Sequence, residues 1–239
     1  MNLATIAALS IVMIGDSHSD YSCANGEFGY LGRKLTEIYP QMELYAVSNS
    51  DPTWWVGERR HKMNKGNTFY QDRHCKGGDR RKETPLASGL PNADLLIIEQ
   101  GTNMVGRFND EKIKTSIQNL YVSVQGKFSS ILWIGPPPAR SDVIPFKKLC
   151  HLENIVKRSV LQFGSYYSSL TLPTEENSFL TGAANGTHLK MGPAGMWAQD
   201  VAKEINRLVG HPGLKEYTAY PALPAGSPQP CATPQPKRQ

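Results

Sequence analysis

The sequence predicts an α/β fold in which helices cover both faces of a parallel sheet. Short apolar runs suited to buried strands alternate along the chain with segments of helical periodicity. A chain of 239 residues is also long enough for one domain of this class to bury a large core. Strands that alternate with helices favour a parallel sheet between two helical layers, a three-layer α/β/α sandwich.

The individual elements follow from apolar runs and from the residues that end them. Strands are predicted at residues 10–15, 43–48, 95–100 and 131–135, with a shorter one near 170–172. Helices are predicted at 29–39, 110–127, 152–166 and 193–209. The last helix has a proline at its start and Gly210 just past its end, which is typical of helix boundaries.

Two segments interrupt this alternation. Residues 49–92 are polar, basic and rich in glycine, and they predict an excursion with little regular structure. From residue 212 onward prolines stand among Ala, Gly, Ser and Gln, so no amphipathic face can form. We therefore predict an α/β domain over residues 1–211 and a proline-rich flexible tail over 212–239.

The charge pattern limits the classes of partner. The formal net charge is +5, and the basic excess is concentrated in residues 58–82. This segment can contact an anionic polymer or can be a solvated loop, while no motif or aromatic pattern indicates nucleic-acid binding. No apolar run reaches the roughly 18 residues of a membrane span. Residues 1–14 are apolar, but they run into a predicted strand and show no leader.

The cysteines and histidines show no metal-site spacing, and we expect no metal. The cysteines are Cys23, Cys75, Cys150 and Cys231. Cys23 and Cys75 follow loops at the predicted active edge of the sheet, so a disulfide between two of the first three cysteines is possible.

Three short motifs carry the chemistry. They are GDSHS at 15–19, GTN at 101–103 and NGTH at 185–188. They supply a serine nucleophile, an amide donor and a histidine base, which are the groups that acyl transfer needs. Ser17 and Asn103 follow predicted strands and His188 precedes the last helix. All three are therefore expected at the same edge of the sheet, where open α/β sheets bind ligands.

In this order the motifs resemble those of the SGNH (GDSL-like) hydrolases, over roughly residues 11–208. The resemblance implies a flavodoxin-like strand order and no metal or organic cofactor. It also implies that Ser17 is the nucleophile and that His188 is the base. The oxyanion would be held by the backbone N–H groups of Ser17 and Asn49 and by the side-chain amide of Asn103.

Two residues depart from the family pattern. Asn49 stands where the family has glycine, but the donor is a main-chain group and Asn tolerates positive φ. Asn185 stands where the family has the acid that orients the histidine. Three explanations stay open: a natural Ser–His dyad oriented by Asn185 or a backbone carbonyl, a substituted or inactive copy, and deamidation of the Asn185-Gly186 pair to an acid.

Neighbouring residues allow two interpretations. Trp54 and Trp55 follow the segment that carries Asn49, and they are either a sugar-stacking wall or part of the core. His18 is adjacent to the serine on the wrong side of the turn, so we expect a structural role. Asp16 is expected to accept hydrogen bonds from local backbone.

The predicted function is a serine esterase that removes a small acyl group, such as acetyl, from a carbohydrate or cell-envelope polymer. The substrate is an acylated small molecule or polysaccharide. The alternatives are an SGNH-type O-acyltransferase and a carbohydrate-binding module with weakened catalysis. Asn185 and Asn49, the two departures from the family pattern, favour the binding module. A polymer substrate would imply a periplasmic or secreted protein.

Overall fold

The computed structural model describes residues 9–20, 29–59, 69–70, 84–180, 186–210 and 231. The strands are β1 (Ile11–Gly15), β2 (Glu43–Ala46), β3 (Phe69–Tyr70), β4 (Ala93–Glu99), β5 (Phe128–Ile134) and β6 (Ser165–Tyr167). The helices are α1 (Tyr30–Ile38), α2 (Pro52–Trp55), α3 (Asp110–Val124), α4 (Phe146–Val160) and α5 (Met191–Val209).

The strands form one sheet in the order β3-β2-β1-β4-β5-β6. Every neighbouring pair is parallel except β2 and β3. The parallel strands therefore follow the flavodoxin-like order, and the predicted α/β/α fold is confirmed. The antiparallel edge strand β3 was not predicted, because it is only two residues long and lies in the polar excursion.

The core lies on both faces of the sheet. Alternate residues of β1 and β4, such as Met13 and Ile97, pack against α1 and α5. The residues between them, such as Val12 and Ile98, pack against α2, α3 and α4. Because both faces are buried, the central strands are continuous apolar runs rather than alternating ones.

The fourth helix and the last strand differ from the prediction. The helix was predicted at 152–166, but α4 spans Phe146–Val160 and is preceded by Pro145 at its N-cap. The chain then turns at Gly164, where an added Cβ would lie 2.9 Å from the carbonyl oxygen of Ile131. The strand predicted near 170–172 is wrong, because β6 forms earlier, at Ser165–Tyr167.

A disulfide links Cys150 in α4 to Cys231 near the C-terminus, across 81 residues of sequence. A disulfide between two of the first three cysteines is possible from the sequence, but such a pair does not include Cys150, whose partner is Cys231. Cys23 and Cys75 lie outside the described residues. Apart from Cys231, so does the predicted tail at 212–239, and the domain boundary stays a prediction. No helix in the described part of the chain is long and apolar enough to cross a membrane.

Candidate active site

The first motif forms a tight turn at the end of β1. The backbone N–H groups of Ser19 and Asp20 donate to the carbonyl of Asp16 at 3.1 and 2.9 Å. The turn needs glycine at position 15, since an added Cβ there would lie 2.5 Å from the Ser19 side chain. Ser17 is half-buried at the top of this turn, while the residues on either side of it are buried.

The hydroxyl of Ser17 meets the imidazole of His188. Their Oγ and Nε2 atoms lie 2.7 Å apart. The loop before α5 holds this histidine in place, because Leu180 N–H donates to the His188 carbonyl at 2.8 Å and Lys190 N–H donates to the Ser178 carbonyl at 2.8 Å. This distance allows the imidazole to act as a general base toward the hydroxyl.

The other ring nitrogen of His188 faces a hydroxyl. Nδ1 lies 3.1 Å from Oγ1 of Thr187. In the tautomer whose Nε2 can accept the Ser17 proton, Nδ1 carries a hydrogen, and this N–H can donate a hydrogen bond to the Thr187 hydroxyl oxygen. Asn185 lies outside the described residues, so its place in the site stays a prediction.

The amide of Asn103 lies next to the nucleophile turn. Asn103 belongs to a short 3₁₀ helix, Thr102–Met104, that follows β4. Its Nδ2 donates to Oδ2 of Asp16 and to the carbonyl of Ser50, both at 3.0 Å. These two bonds connect the GTN motif to the loops after β1 and β2.

The loop after β2 brings Asn49 to the same edge. Asn49 has a φ of 64° and is exposed, as expected for a residue that replaces glycine in a left-handed conformation. Within the described residues, the backbone N–H groups of Ser17 and Asn49 have no hydrogen-bond acceptor. Both are therefore available to bind a developing oxyanion.

His18 packs behind the site. It is 3% exposed, and its ring centroid lies 4.8 Å from that of His188. Its Nε2 lies 3.2 Å from Oγ1 of Thr102. Burial, and then the charge of His188, lowers the pKa of His18 well below its usual value. His18 is thus a neutral packing residue beside the proposed base, as its place after the serine suggested.

Two buried carboxyl groups lie beneath the turn. Asp16 and Glu99 are both 0% exposed. Burial, and then the negative charge of Glu99, raises the pKa of Asp16 well above its usual value. Burial raises the pKa of Glu99 to about 7. Sequence reasoning missed Glu99, although an acidic residue directly after the apolar run 95–98 was a visible signal.

Trp54 and Trp55 do not form a sugar-stacking wall. They lie in α2, which Asp51 caps by accepting a hydrogen bond from Thr53 N–H at 2.9 Å. The two indoles are 2% and 0% exposed and contribute to the core on the α3 side of the sheet. Of the two interpretations, core packing is the one observed.

The described residues contain no group of three or more His, Cys, Asp or Glu side chains placed to hold a metal ion. No protein-family model and no curated protein sequence matches the chain.

The fold is similar to that of two solved enzymes. A salicylyl-acyltransferase, SsfX3, from a tetracycline biosynthetic pathway matches with a TM-score of 0.57 and 12% identity, over 87% of this chain and 57% of its own. Axe2, an acetylxylan esterase from Geobacillus stearothermophilus, matches with a TM-score of 0.53 and 14% identity, over 82% of this chain and 94% of its own. At these identities the likeness establishes the fold, and it agrees with the fold that the SGNH resemblance implied.

Proposed function

We propose that the chain is an SGNH-type serine esterase that removes a small acyl group, such as acetyl, from a carbohydrate or cell-envelope polymer. The observation that carries the proposal is the 2.7 Å separation of Ser17 Oγ and His188 Nε2, while the amide of Asn103 bonds to Asp16, the residue before the serine. The fold likeness to an acetylxylan esterase and to an acyltransferase supports it, since both names describe acyl chemistry.

The proposed reaction proceeds through an acyl-enzyme. Ser17 Oγ attacks the ester carbonyl carbon while His188 takes the hydroxyl proton. The tetrahedral intermediate collapses, the C–O bond to the alcohol breaks, and the imidazolium returns the proton to the leaving alkoxide. Water, deprotonated by His188, then attacks the acyl-enzyme and releases the acid and the free serine.

The negative oxygen of the intermediate is bound by three donors. The N–H groups of Ser17 and Asn49 lack acceptors in the described part of the chain, and Nδ2 of Asn103 provides the third donor. Because both hydrogens of that amide already have acceptors, the oxyanion competes with the Ser50 carbonyl for one of them. Each such donor contributes a few kcal/mol to the transition state.

The direct test uses p-nitrophenyl acetate. We expect the wild-type chain to hydrolyse it, Ser17→Ala to abolish hydrolysis, and Ser88→Ala, a change at an exposed serine away from the site, to have no effect. Equal activity in Ser17→Ala and the wild type would contradict the proposal.

Asn185→Asp addresses the residue that departs from the family pattern. Replacing the acid of a serine triad by Asn lowers kcat by about 10⁴ in the serine-protease example. We therefore expect Asn185→Asp to raise the rate of hydrolysis. If the wild type, Ser17→Ala and Asn185→Asp are all inert while an acetylated glycan column retains the chain, a carbohydrate-binding module replaces the esterase proposal.

Acyl transfer to a sugar hydroxyl is the second candidate, and the likeness to the acyltransferase SsfX3 favours it. The same acyl-enzyme can pass its acyl group to an alcohol instead of water. Adding a sugar acceptor to the p-nitrophenyl acetate assay separates the two: a transferase forms the sugar ester and releases p-nitrophenol faster, whereas a hydrolase releases acetate at an unchanged rate.

An extracytoplasmic location is also proposed. A polymer substrate requires export, and the Cys150–Cys231 disulfide supports it because disulfides persist in oxidising compartments. Most of the basic segment 58–82 lies outside the described residues, so its contact with an anionic polymer stays a prediction. The described part includes Glu58, which pairs with Lys112, and Arg59, which pairs with the buried Asp51.

A further inference from the structure

Glu99, the last residue of β4, is buried directly beneath the nucleophile turn. Its Oε2 accepts hydrogen bonds from Asp16 N–H at 3.1 Å and from Ser19 Oγ at 3.0 Å. An added Cβ at Gly15 would lie 3.1 Å from the same carboxylate oxygen. The glycine therefore lets the Glu99 carboxyl group approach the turn that carries Ser17.

Asp16 continues this connection toward the reacting atoms. Its Oδ1 accepts a hydrogen bond from His18 N–H at 2.9 Å, and its Oδ2 accepts one from Asn103 Nδ2 at 3.0 Å. One carboxyl group thus fixes both the backbone that follows Ser17 and the amide proposed to bind the oxyanion. The position of Asp16 depends in turn on Glu99, which accepts its N–H.

The two carboxyl groups also interact with each other. Burial raises the pKa of both carboxyl groups, and the negative charge of Glu99 raises that of Asp16 further, so the buried pair retains a proton more readily than two solvent-exposed carboxyl groups do. A pair of this kind loses its protons as a unit rather than as separate residues. With one proton it keeps acceptors for the four backbone and side-chain donors around it.

Other titratable groups face the pair from the surrounding elements. Asp20, in the same turn, accepts hydrogen bonds from Ser48 N–H at 3.1 Å and from Ser48 Oγ at 2.6 Å, and its charge raises the pKa of Asp16 further. His18 lies on the other side of the turn, with His188 behind it. Since burial keeps His18 neutral, it supplies no positive charge to stabilise a doubly ionised pair.

We propose that Glu99 is a positioning residue: by sharing one proton with Asp16, it holds the Asn103 amide and the Ser17 turn in the geometry for ester cleavage. This inference rests on the proposed function of the Ser17 site. Glu99 does not touch the substrate, and it acts through Asp16. Loss of the shared proton places two negative charges beneath the turn, and the repulsion displaces Asp16 together with the amide bonded to it.

The test is Glu99→Gln, which keeps the shape and an acceptor oxygen but cannot share a proton with Asp16. The matched control is Glu153→Gln, since Glu153 is also buried but lies in α4 with Tyr166 as its partner at 3.5 Å. Both variants are first compared with the wild type by circular dichroism and thermal unfolding, so that a misfolded variant is recognised.

For the wild type we expect a bell-shaped dependence of kcat on pH, with an acidic limb from His188 and an alkaline limb from ionisation of the pair. Glu99→Gln is expected to lower kcat about tenfold or more with little change in KM, and to remove the alkaline limb. Glu153→Gln is expected to change neither. A Glu99→Gln enzyme with the kcat and pH profile of the wild type would overturn the inference.

Infrared spectroscopy provides a readout that does not depend on activity. At neutral pH the wild type should show the carbonyl stretch of a buried protonated carboxyl group, which Glu99→Gln shifts or removes and Glu153→Gln leaves in place. Absence of this band from the wild type would also overturn the inference. If instead Ser17→Ala retains full activity, the proposed function fails while the infrared result still decides whether the proton is shared.

Discussion

The imidazole Nε2 of His188 lies 2.7 Å from the hydroxyl oxygen of Ser17, although the two residues are 171 positions apart. The topology of the sheet explains this proximity. Ser17 follows the central strand β1, and His188 precedes α5, which packs with α1 on the same face of the sheet as alternate residues of β1. The C-terminal end of β1 and the start of α5 therefore meet at one edge.

Asn103→Ala tests the amide donor of this edge. We expect kcat for p-nitrophenyl acetate to fall about 10²- to 10³-fold with little change in KM, because the lost donor acts mainly in the transition state. Steady-state kinetics at several substrate concentrations separates the two parameters. The control is Asn119→Ala in α3, away from the site, which removes an amide that donates a hydrogen bond to Glu58 in the loop after α2. Equal kinetics in the two variants would exclude Asn103 as an oxyanion donor.

Gly186→Ala tests how the histidine loop is supported. Gly186 has a φ of 78°, and an added Cβ would lie 2.8 Å from Cγ2 of Val143 and 2.9 Å from Cβ of Arg140. The Gly186 carbonyl also accepts a hydrogen bond from Arg140 N–H at 2.7 Å. We expect the substitution to displace His188, lower kcat and decrease the free energy of unfolding.

The control for this change is Gly195→Ala in α5, where an added Cβ meets no atom within 4 Å. Alanine is favoured over glycine inside a helix by roughly 0.5–1 kcal/mol, so this variant should be slightly more stable and fully active. Unchanged activity in Gly186→Ala would show that the loop does not position the histidine.

The Cys150–Cys231 disulfide is expected to stabilise the fold without affecting the reaction. Removing a disulfide typically costs about 2–4 kcal/mol, since the unfolded chain is no longer constrained. Cys231→Ser should therefore lower the melting temperature and leave kcat unchanged. The double variant Cys150→Ser/Cys231→Ser should behave as the single one does, because both remove the same bond. Additive losses from the two substitutions would contradict this assignment.

The buried pair predicts a characteristic dependence of stability on pH. Burial raises the pKa of Glu99 from 4.5 to about 7, so the folded chain binds this proton more tightly than the unfolded chain. The contribution to the free energy of unfolding is therefore greatest below pH 4.5 and is lost as the pH rises toward 7, by roughly 1–3 kcal/mol. The free energy of unfolding, measured by urea unfolding at several pH values in this range, should fall less steeply with pH for Glu99→Gln than for the wild type. The same dependence on pH in both would show that Glu99 does not retain the proton.

The sequence was sufficient for the central strands and for the loops that follow them. The apolar runs near residues 11–15 and 95–98 have few alternatives to a buried parallel strand, and the polar motifs after them mark one edge of the sheet. The conformation of Asn49 was also accessible from sequence, because few residues other than glycine adopt positive φ.

The features that were missed depend on tertiary contacts. Trp54 and Trp55 are suited equally to a core or to a sugar site, and only the packing of α2 against α3 decides between them. The displacement of α4 depends on Pro145 at its start and on the close approach of Gly164 to Ile131. The partner of Cys150 lies 81 residues away in a segment without periodicity, so sequence could not identify it.

Labelling of Ser17 by a fluorophosphonate is the most direct test of the central claim that His188 activates this hydroxyl. Intact mass followed by peptide mass spectrometry should show a single adduct on the peptide that contains Ser17. His188→Ala should slow labelling at least about 100-fold, since a general base contributes this much or more. His151→Ala, at an exposed histidine paired with Asp110, should leave the rate unchanged. Absence of the adduct, an adduct on another residue, or labelling of His188→Ala at the wild-type rate would contradict the claim.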